Sequence, residues 1–274
     1  MSRSRASVAS IHFRAGIGGQ PVLEAMHPSA AHTFQPDRWG AAVIGSAAHP
    51  VAGDRLGVNI RVGVGCGAEL RTAAPTVART GSGRPVWADP AESLLEVAAS
   101  VASDGMLTWR PDPGVATDRC SHRNSATIEL AGSARLVWRD EFVLDHRREL
   151  LAPGTWTSRI RVVRDGWPIL CSELAVGPGS AHWESPAVLE GAKAVSQAVI
   201  VDPGHTEVWR AARSTHGPAT GVALPLAGPA IHLVAWGDDL FDCRSTIERL
   251  LTDAGVPTWA AGRWLRSPKL GAAG

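Results

Sequence analysis

The 274-residue chain has no tyrosine, four phenylalanines and four cysteines, at positions 66, 120, 171 and 243. No two cysteines form a Cys-x-x-Cys pair, which excludes a zinc ribbon and a thioredoxin-type redox motif. So few cysteines in so long a chain argue against a disulfide framework and for a reducing, cytoplasmic compartment. No apolar run approaches the roughly 18 residues of a membrane helix. The basic, serine-rich start, Met1 to Ser7, leads into residues interrupted by His12, Arg14 and Gln20, which reads as a frayed start to a strand rather than a signal peptide. Charged residues are only 19% of the total and the net charge is +1. No bulk field therefore favours nucleic acid or an anionic membrane as partner. Catalytic signatures are missing too: there is no Gly-x-Ser-x-Gly elbow, no Walker A loop and no His-Glu-x-x-His. Gly16-Ile17-Gly18-Gly19 lacks the third spaced glycine of a dinucleotide fingerprint and runs into Pro21 rather than a helix.

What the chain has is apolar bulk and punctuation. Hydrophobic residues make up 45%, mean hydropathy is −0.01, and 29 glycines and 19 prolines are present. Eleven tryptophans suit either a β core or a partner-facing surface.

One pattern occurs three times. Leu56 to Val62 alternates, breaks at Gly63-Val64-Gly65-Cys66-Gly67, and resumes to Thr72. Leu95 to Val101 breaks at Asp104-Gly105 and resumes to Arg110; Thr127 to Leu130 breaks at Gly132 and resumes to Arg139. Alternation, glycine and renewed alternation predict a strand, a tight turn and a strand. Units this short stack to bury their apolar faces. The last two copies share Leu-x-Trp-Arg-x-acid: Leu107, Trp109, Arg110 and Asp112 against Leu136, Trp138, Arg139 and Glu141. Trp109 and Trp138 are then equivalent buried positions on adjacent units. Arg110 and Arg139 fall on the opposite face, where changes should cost far less unless a partner docks there.

Elsewhere, residues 7–16, Ala41 to Ile44, Ala194 to Val201 and Ile231 to Trp236 read as strands, and residues 20–53, with four prolines, as otherwise irregular chain. Asp165-Gly166 between alternating runs is a hairpin signal. Residues 245–254 predict a helix capped by Ser245, with Glu248 completing a capping box, an apolar face of Ile247, Leu250, Leu251 and Ala254, and a stop at Gly255. A second helix is expected from Ser185-Pro186. The fold expected is mainly β: stacked β-hairpins, β-helix-like or as layered sheets, with about two helices in the C-terminal third. It is read as one domain: an irregular part (1–52), a repeated hairpin core (53–180), and a mixed strand and helix part with a loose tail (181–274).

Ten histidines are scattered; His27, His32 and His49 share one proline-rich stretch, where solvated loop histidines are the default and a metal site the alternative. Asp54, Glu69, Asp112, Glu141 and Glu173 fall at strand ends or near turns. A paired-carboxylate site needs a fixed separation that sequence does not give; exposed strand ends paired with arginines are the plainer reading.

Taken in order, several stretches resemble the urease accessory proteins of the UreD/UreH family in their divergent actinobacterial form. They are Gly53-Asp54-Arg55-Leu56, Gly67 to Thr76, Gly105 to Pro113, Ala134 to Glu141, and Val163 to Pro168 with Glu173-Leu174; Ile231 to Leu251 also looks similar. The resemblance implies a non-enzymatic maturation factor that joins a helical partner of the UreF type and a GTPase of the UreG type on apo-urease. It implies no tightly bound cofactor, with nickel ion in transit through an internal tunnel. Asp54 and Glu141, at matched motifs, are the candidate metal residues on that path; salt bridges to arginines such as Arg139 or Arg55 are the alternative role. The sequence departs from the family where Ala52 stands before Gly53, and where Asp145-His146-Arg147-Arg148 and Pro153-Gly154-Thr155 replace the family's Gly-Arg and Gly-Glu pairs. A β-rich interaction module unrelated to nickel, and an enzyme with an unrecognised carboxylate site, stay open as other readings.

Overall fold

The computed structural model describes residues 7–46, 49–81, 91–144, 153–204 and 212–255. Strands fill most of this range. First come β1 (Ser7–Ala15), a 3-10 turn (Ile17–Gly19), β2 (Pro21–His27), β3 (His32–Asp37) and β4 (Gly40–Gly45). The repeats follow as β5 (Arg55–Val62), β6 (Gly67–Thr72) and a short β7 (Thr76–Ala78), then β8 (Ser93–Val101), β9 (Met106–Arg110) and a short β10 (Gly114–Ala116), then β11 (Ser121–Leu130) and β12 (Arg135–Leu144). The chain continues through β13 (Thr155–Arg164), β14 (Trp167–Val176), β15 (Ala194–Val201), β16 (Arg213–Thr215), β17 (Ala219–Pro225) and β18 (Ala230–Gly237) to helix α1 (Leu240–Asp253). Residues 20–53, expected to be mostly irregular, thus carry β2, β3 and β4. Pro21 and Pro36 sit in β2 and β3, which are the edge strands of their sheets, where a missing N–H costs no ladder bond.

Two sheets face each other. The first runs β14-β13-β11-β8-β5-β1-β2 and the second β16-β17-β18-β15-β12-β9-β6-β4-β3, with β10 beside β12 and β7 beside β10. The fold is mainly β and layered, as expected, but the repeats are not hairpins. β5, β8 and β11 lie side by side and parallel in the first sheet. Their mates β6, β9 and β12 do the same in the second. Each copy is an arch whose turn carries the chain from one layer to the other. The turns extend the ladder: Gly65 N–H donates to Ser103 O at 3.0 Å and Asp104 N–H to Ser133 Oγ at 2.9 Å. Asp165-Gly166, by contrast, does close an antiparallel hairpin between β13 and β14, both residues at positive φ.

Inward-facing Val58, Ile60, Val97, Ile128 and Ile160 of the first sheet pack against Leu70, Leu107, Trp109, Leu136 and Trp138 of the second. Trp109 and Trp138 are register partners on β9 and β12, with ring centroids 5.4 Å apart. Arg110 and Arg139 alternate to the other face, but that face is not open. They are 6% and 2% exposed, and Arg110 pairs with Glu69, so the expectation of inexpensive changes there is corrected.

α1 forms a third layer on the outer side of the second sheet, burying Cys243, Ile247, Leu250 and Leu251 against residues such as Val137, Ala198 and Leu233. It begins a turn and a half before the expected start. Asp239, not Ser245, is its cap, accepting from Phe241 N–H at 2.6 Å; its apolar face and the stop near Gly255 are as read. Among the described residues it is the one α-helix. The segment after Ser185-Pro186 makes turns instead, with positive φ at Glu190 and Gly191. The Asp145–Arg148 departure and the tail from Gly262 lie outside the described residues.

Candidate functional site

A belt of polar side chains crosses the sandwich between two apolar zones. Along β12 the inward residues run Trp138, Asp140, Phe142; along β13, Ile160, Ser158, Trp156; along β15, Val199, Gln197, Val195. In each strand the first belongs to the main core and the last to a second apolar cluster. The middle ones bond to one another across the layers. Ser158 Oγ donates to Asp140 Oδ2, Asn124 Nδ2 donates to Asp140 Oδ1 at 2.9 Å, and Gln197 Nε2 donates to Ser158 Oγ at 3.2 Å. His232 Nε2 lies 3.3 Å from Gln197 Oε1. Burial pushes the Asp140 carboxyl up to about 6, against the hydrogen bonds from Ser158 and Asn124. Burial pushes both His122 and His232 down to about 4.

At the same level the second sheet is broken. β12 pairs with β9 over Arg135–Trp138 and with β10 over Gly114's partner Phe142 to Leu144. Arg139, Asp140 and Glu141 have β15 on one side and no strand on the other. The prolines explain the gap. β9 runs out into Pro111-Asp112-Pro113 and β6 into Ala73-Ala74-Pro75, and proline offers no ladder N–H. Side chains fill part of the space: Asp112 N–H donates to Thr72 Oγ1 at 2.8 Å, and Arg139 Nη2 to Pro111 O at 2.9 Å. A cavity of about 210 Å³ opens here, its walls including His32, His49, Asp112, His122, Asn124, Asp140 and Glu141. Burial raises the Asp112 carboxyl above its ordinary range although Arg139 and Arg244 oppose it.

Of the two candidate carboxylates, Glu141 lines this cavity and Asp54 stands behind one of its wall residues, His49. Glu141 lines it and is 2% exposed. Its oxygens take Arg244 Nη2 at 2.6 Å, Arg244 Nε at 3.0 and 3.1 Å, and Ser196 Oγ at 2.9 Å, with Arg139 Nε at 3.4 Å. Asp54 Oδ2 lies 2.6 Å from His49 Nδ1 and accepts from Val51 N–H at 2.8 Å. Arg55 does not pair with that carboxylate; it donates to the backbone oxygens of Asp54 and Glu92. Of the three clustered histidines, His32 and His49 line the cavity, while His27 sits exposed on β2. His32 is held below its ordinary range by burial and then by His49. Among the described residues no group of three or more His, Cys, Asp or Glu is placed to hold a metal ion. The four cysteines are free, three of them buried.

Sequence reading missed the belt and Arg244. Asp140 was legible: it shares the inward parity of Trp138 and Phe142. The Arg244 partnership was not, since 103 positions separate it from Glu141.

Paired arch layers, a polar belt with a cavity at a break in one sheet, and an outer helix whose Arg244 pairs with Glu141 beside that break define a layered β protein with an internal polar cavity. The model of the UreD urease accessory protein family matches residues 18–268. Relatives include urease accessory protein UreD 2 of Saccharopolyspora erythraea, 34% identical over 78% of this chain and 73% of its own length. The UreD of Frankia alni is 36% identical over 79% and 73%, and that of Streptomyces coelicolor 32% identical over 90% and 95%. The chain belongs to the UreD urease accessory protein family.

Proposed function

We propose that the chain is a non-enzymatic urease maturation factor. It acts as a scaffold in an accessory complex with a helical UreF-type protein and a UreG-type GTPase. It passes nickel to apo-urease through the polar belt, holding the ion transiently rather than as a cofactor. The observation that supports this most directly is the cavity at the sheet break, which gathers Asp112, Asp140 and Glu141 with His32 and His49 inside a family that serves urease. Such oxygen and imidazole donors, without a closed cage, suit a cation that must be released again.

The test is nickel-dependent urease activity in cells carrying the urease genes with and without this chain. Activity should vanish without it. Asp54→Asn, which keeps the size of the side chain but removes its charge beside His49, should lower activation at limiting nickel while the accessory complex still co-purifies. Full activation without the chain would end this reading; full activation by Asp54→Asn would remove Asp54 from the path.

A further inference from the structure

Most of the contact between α1 and the second sheet is apolar. Arg244 brings a charge to that contact. It leaves the helix surface, is 18% exposed, and grips Glu141 through two nitrogens beside the break. Burial acts to lower its pKa, but the hydrogen bonds and charge of Glu141, with Asp112 behind, raise it above the ordinary value. Glu141 in turn has one neutral anchor on the adjoining strand, Ser196 of β15.

A buried ion pair is a poor means of gluing a helix down. Desolvating both groups offsets much of their attraction, and apolar residues of the same volume serve stability as well or better. A charge pair differs in being exchangeable. It gives one discrete geometry when made, and it leaves a charged carboxylate at the break when the helix shifts. Arg139, one position from Asp140, already fills the other side of the gap by bonding Pro111 O. Arg244 is therefore the partner of Glu141 that belongs to α1 and not to the sheet.

We propose that Arg244 is a positioning residue that ties α1 to β12 and fixes the Glu141 carboxylate at the cavity wall, so that the seating of the helix sets the state of that carboxylate. This rests on the reading of the cavity as a nickel path.

The test uses the full chain in its accessory complex. Arg244→Met should speed hydrogen exchange across residues 240–253 and cause loss of urease activation at limiting nickel. Glu141→Leu/Arg244→Met removes both charges together, so helix protection and melting temperature should recover while activation does not. Arg244→Lys keeps the charge but loses the two-nitrogen grip, and should melt near the wild type with reduced activation. The proposal is overturned if activation returns with stability in the double variant, which would make the pair a strut alone. Full activation by Arg244→Lys overturns it equally, and decides the matter if the double variant does not fold. If the wild-type complex itself fails to activate urease, the nickel reading falls. The exchange measurement then still reports whether the tie exists.

Discussion

Trp109 and Trp138 sit where the second and third repeats meet in the main core. The Leu-x-Trp frame placed both tryptophans on the leucine face, and the two rings stack in register inside the main core, 5% and 2% exposed. Truncating Trp138 to alanine should cost about 3–5 kcal/mol, the usual price of an aromatic core deletion. Chemical denaturation read by near-ultraviolet dichroism checks it, and a cost under about 1 kcal/mol would mean that the stack is not central. Arg110→Met was expected to be mild. The buried Glu69 it would strand makes it costly instead, since breaking one side of a buried pair costs about 3–5 kcal/mol. The buried histidines set an acid limit. His122 and His232 have ordinary values of 6.5, pushed down by burial to about 4. Unfolded, each takes a proton below pH 6.5; folded, it does so only near pH 4. Their contribution to stability is thus whole above pH 6.5 and is lost as pH falls toward 4, on the order of 3 kcal/mol each. Asp140 runs the other way: raised from 3.8 to about 6, it stabilises most below pH 3.8 and its contribution is lost as pH rises through 6. Two histidines outweigh one carboxyl, so the melting temperature should fall between pH 6.5 and 4, and His232→Gln should flatten the slope. An unchanged profile in that variant would show that His232 is not buried neutral.

At the scale of elements, the alternation was read correctly and the pairing was not. A strand-turn-strand stretch has the same period whether its strands pair with each other or face each other across a core. Linker length separates the cases here. The two-residue Asp165-Gly166 turn closes a hairpin, whereas Gly63–Cys66, Ala102–Gly105 and Ala131–Ala134 are long enough to change layers. The helix start was misplaced because Ser245 and Glu248 imitate a capping box. Asp239 offered a cap just ahead of an apolar pair, Leu240-Phe241, that reads as loop until the sheet beneath is known. The short strands β7 and β10 were invisible, since three residues carry no period. Their place is set by close packing: a Cβ on Gly114 would meet the Trp156 ring at 2.1 Å. Gly114→Ala should therefore displace Trp156 and loosen β10 from β12 beside the cavity, at about 1–3 kcal/mol. Urea melts and the fluorescence of the buried indole would register it; an unperturbed spectrum and midpoint would show that the approach is looser than drawn.

For the whole molecule, the near-neutral charge and the apolar composition bear on behaviour in solution. The ordered layers leave several large apolar side chains in water: Ile17 is 99% exposed, Val64 65%, Trp167 78% and Phe241 75%. The Ile17–Gly19 turn lies against the β5–β6 turn, for a Cβ on Gly19 would meet Gly65 O at 3.0 Å, so Ile17 and Val64 share one end of the arch stack. Scattered single residues of this kind are ordinary. A paired exposure on a protein with net charge +1 lacks the repulsion that keeps monomers apart. Expressed by itself, the chain should therefore self-associate, and co-expression with the proposed helical UreF-type partner should raise its soluble yield and give a defined size by light scattering. Replacing Ile17 and Val64 with serine distinguishes the surfaces. If that end carries the self-association, the variant should be soluble without the partner. If the partner docks there too, the variant should fail to co-purify with it. A wild-type chain that stays monomeric at high concentration, with or without the partner, would show that its apolar surface is only the common remainder of folding.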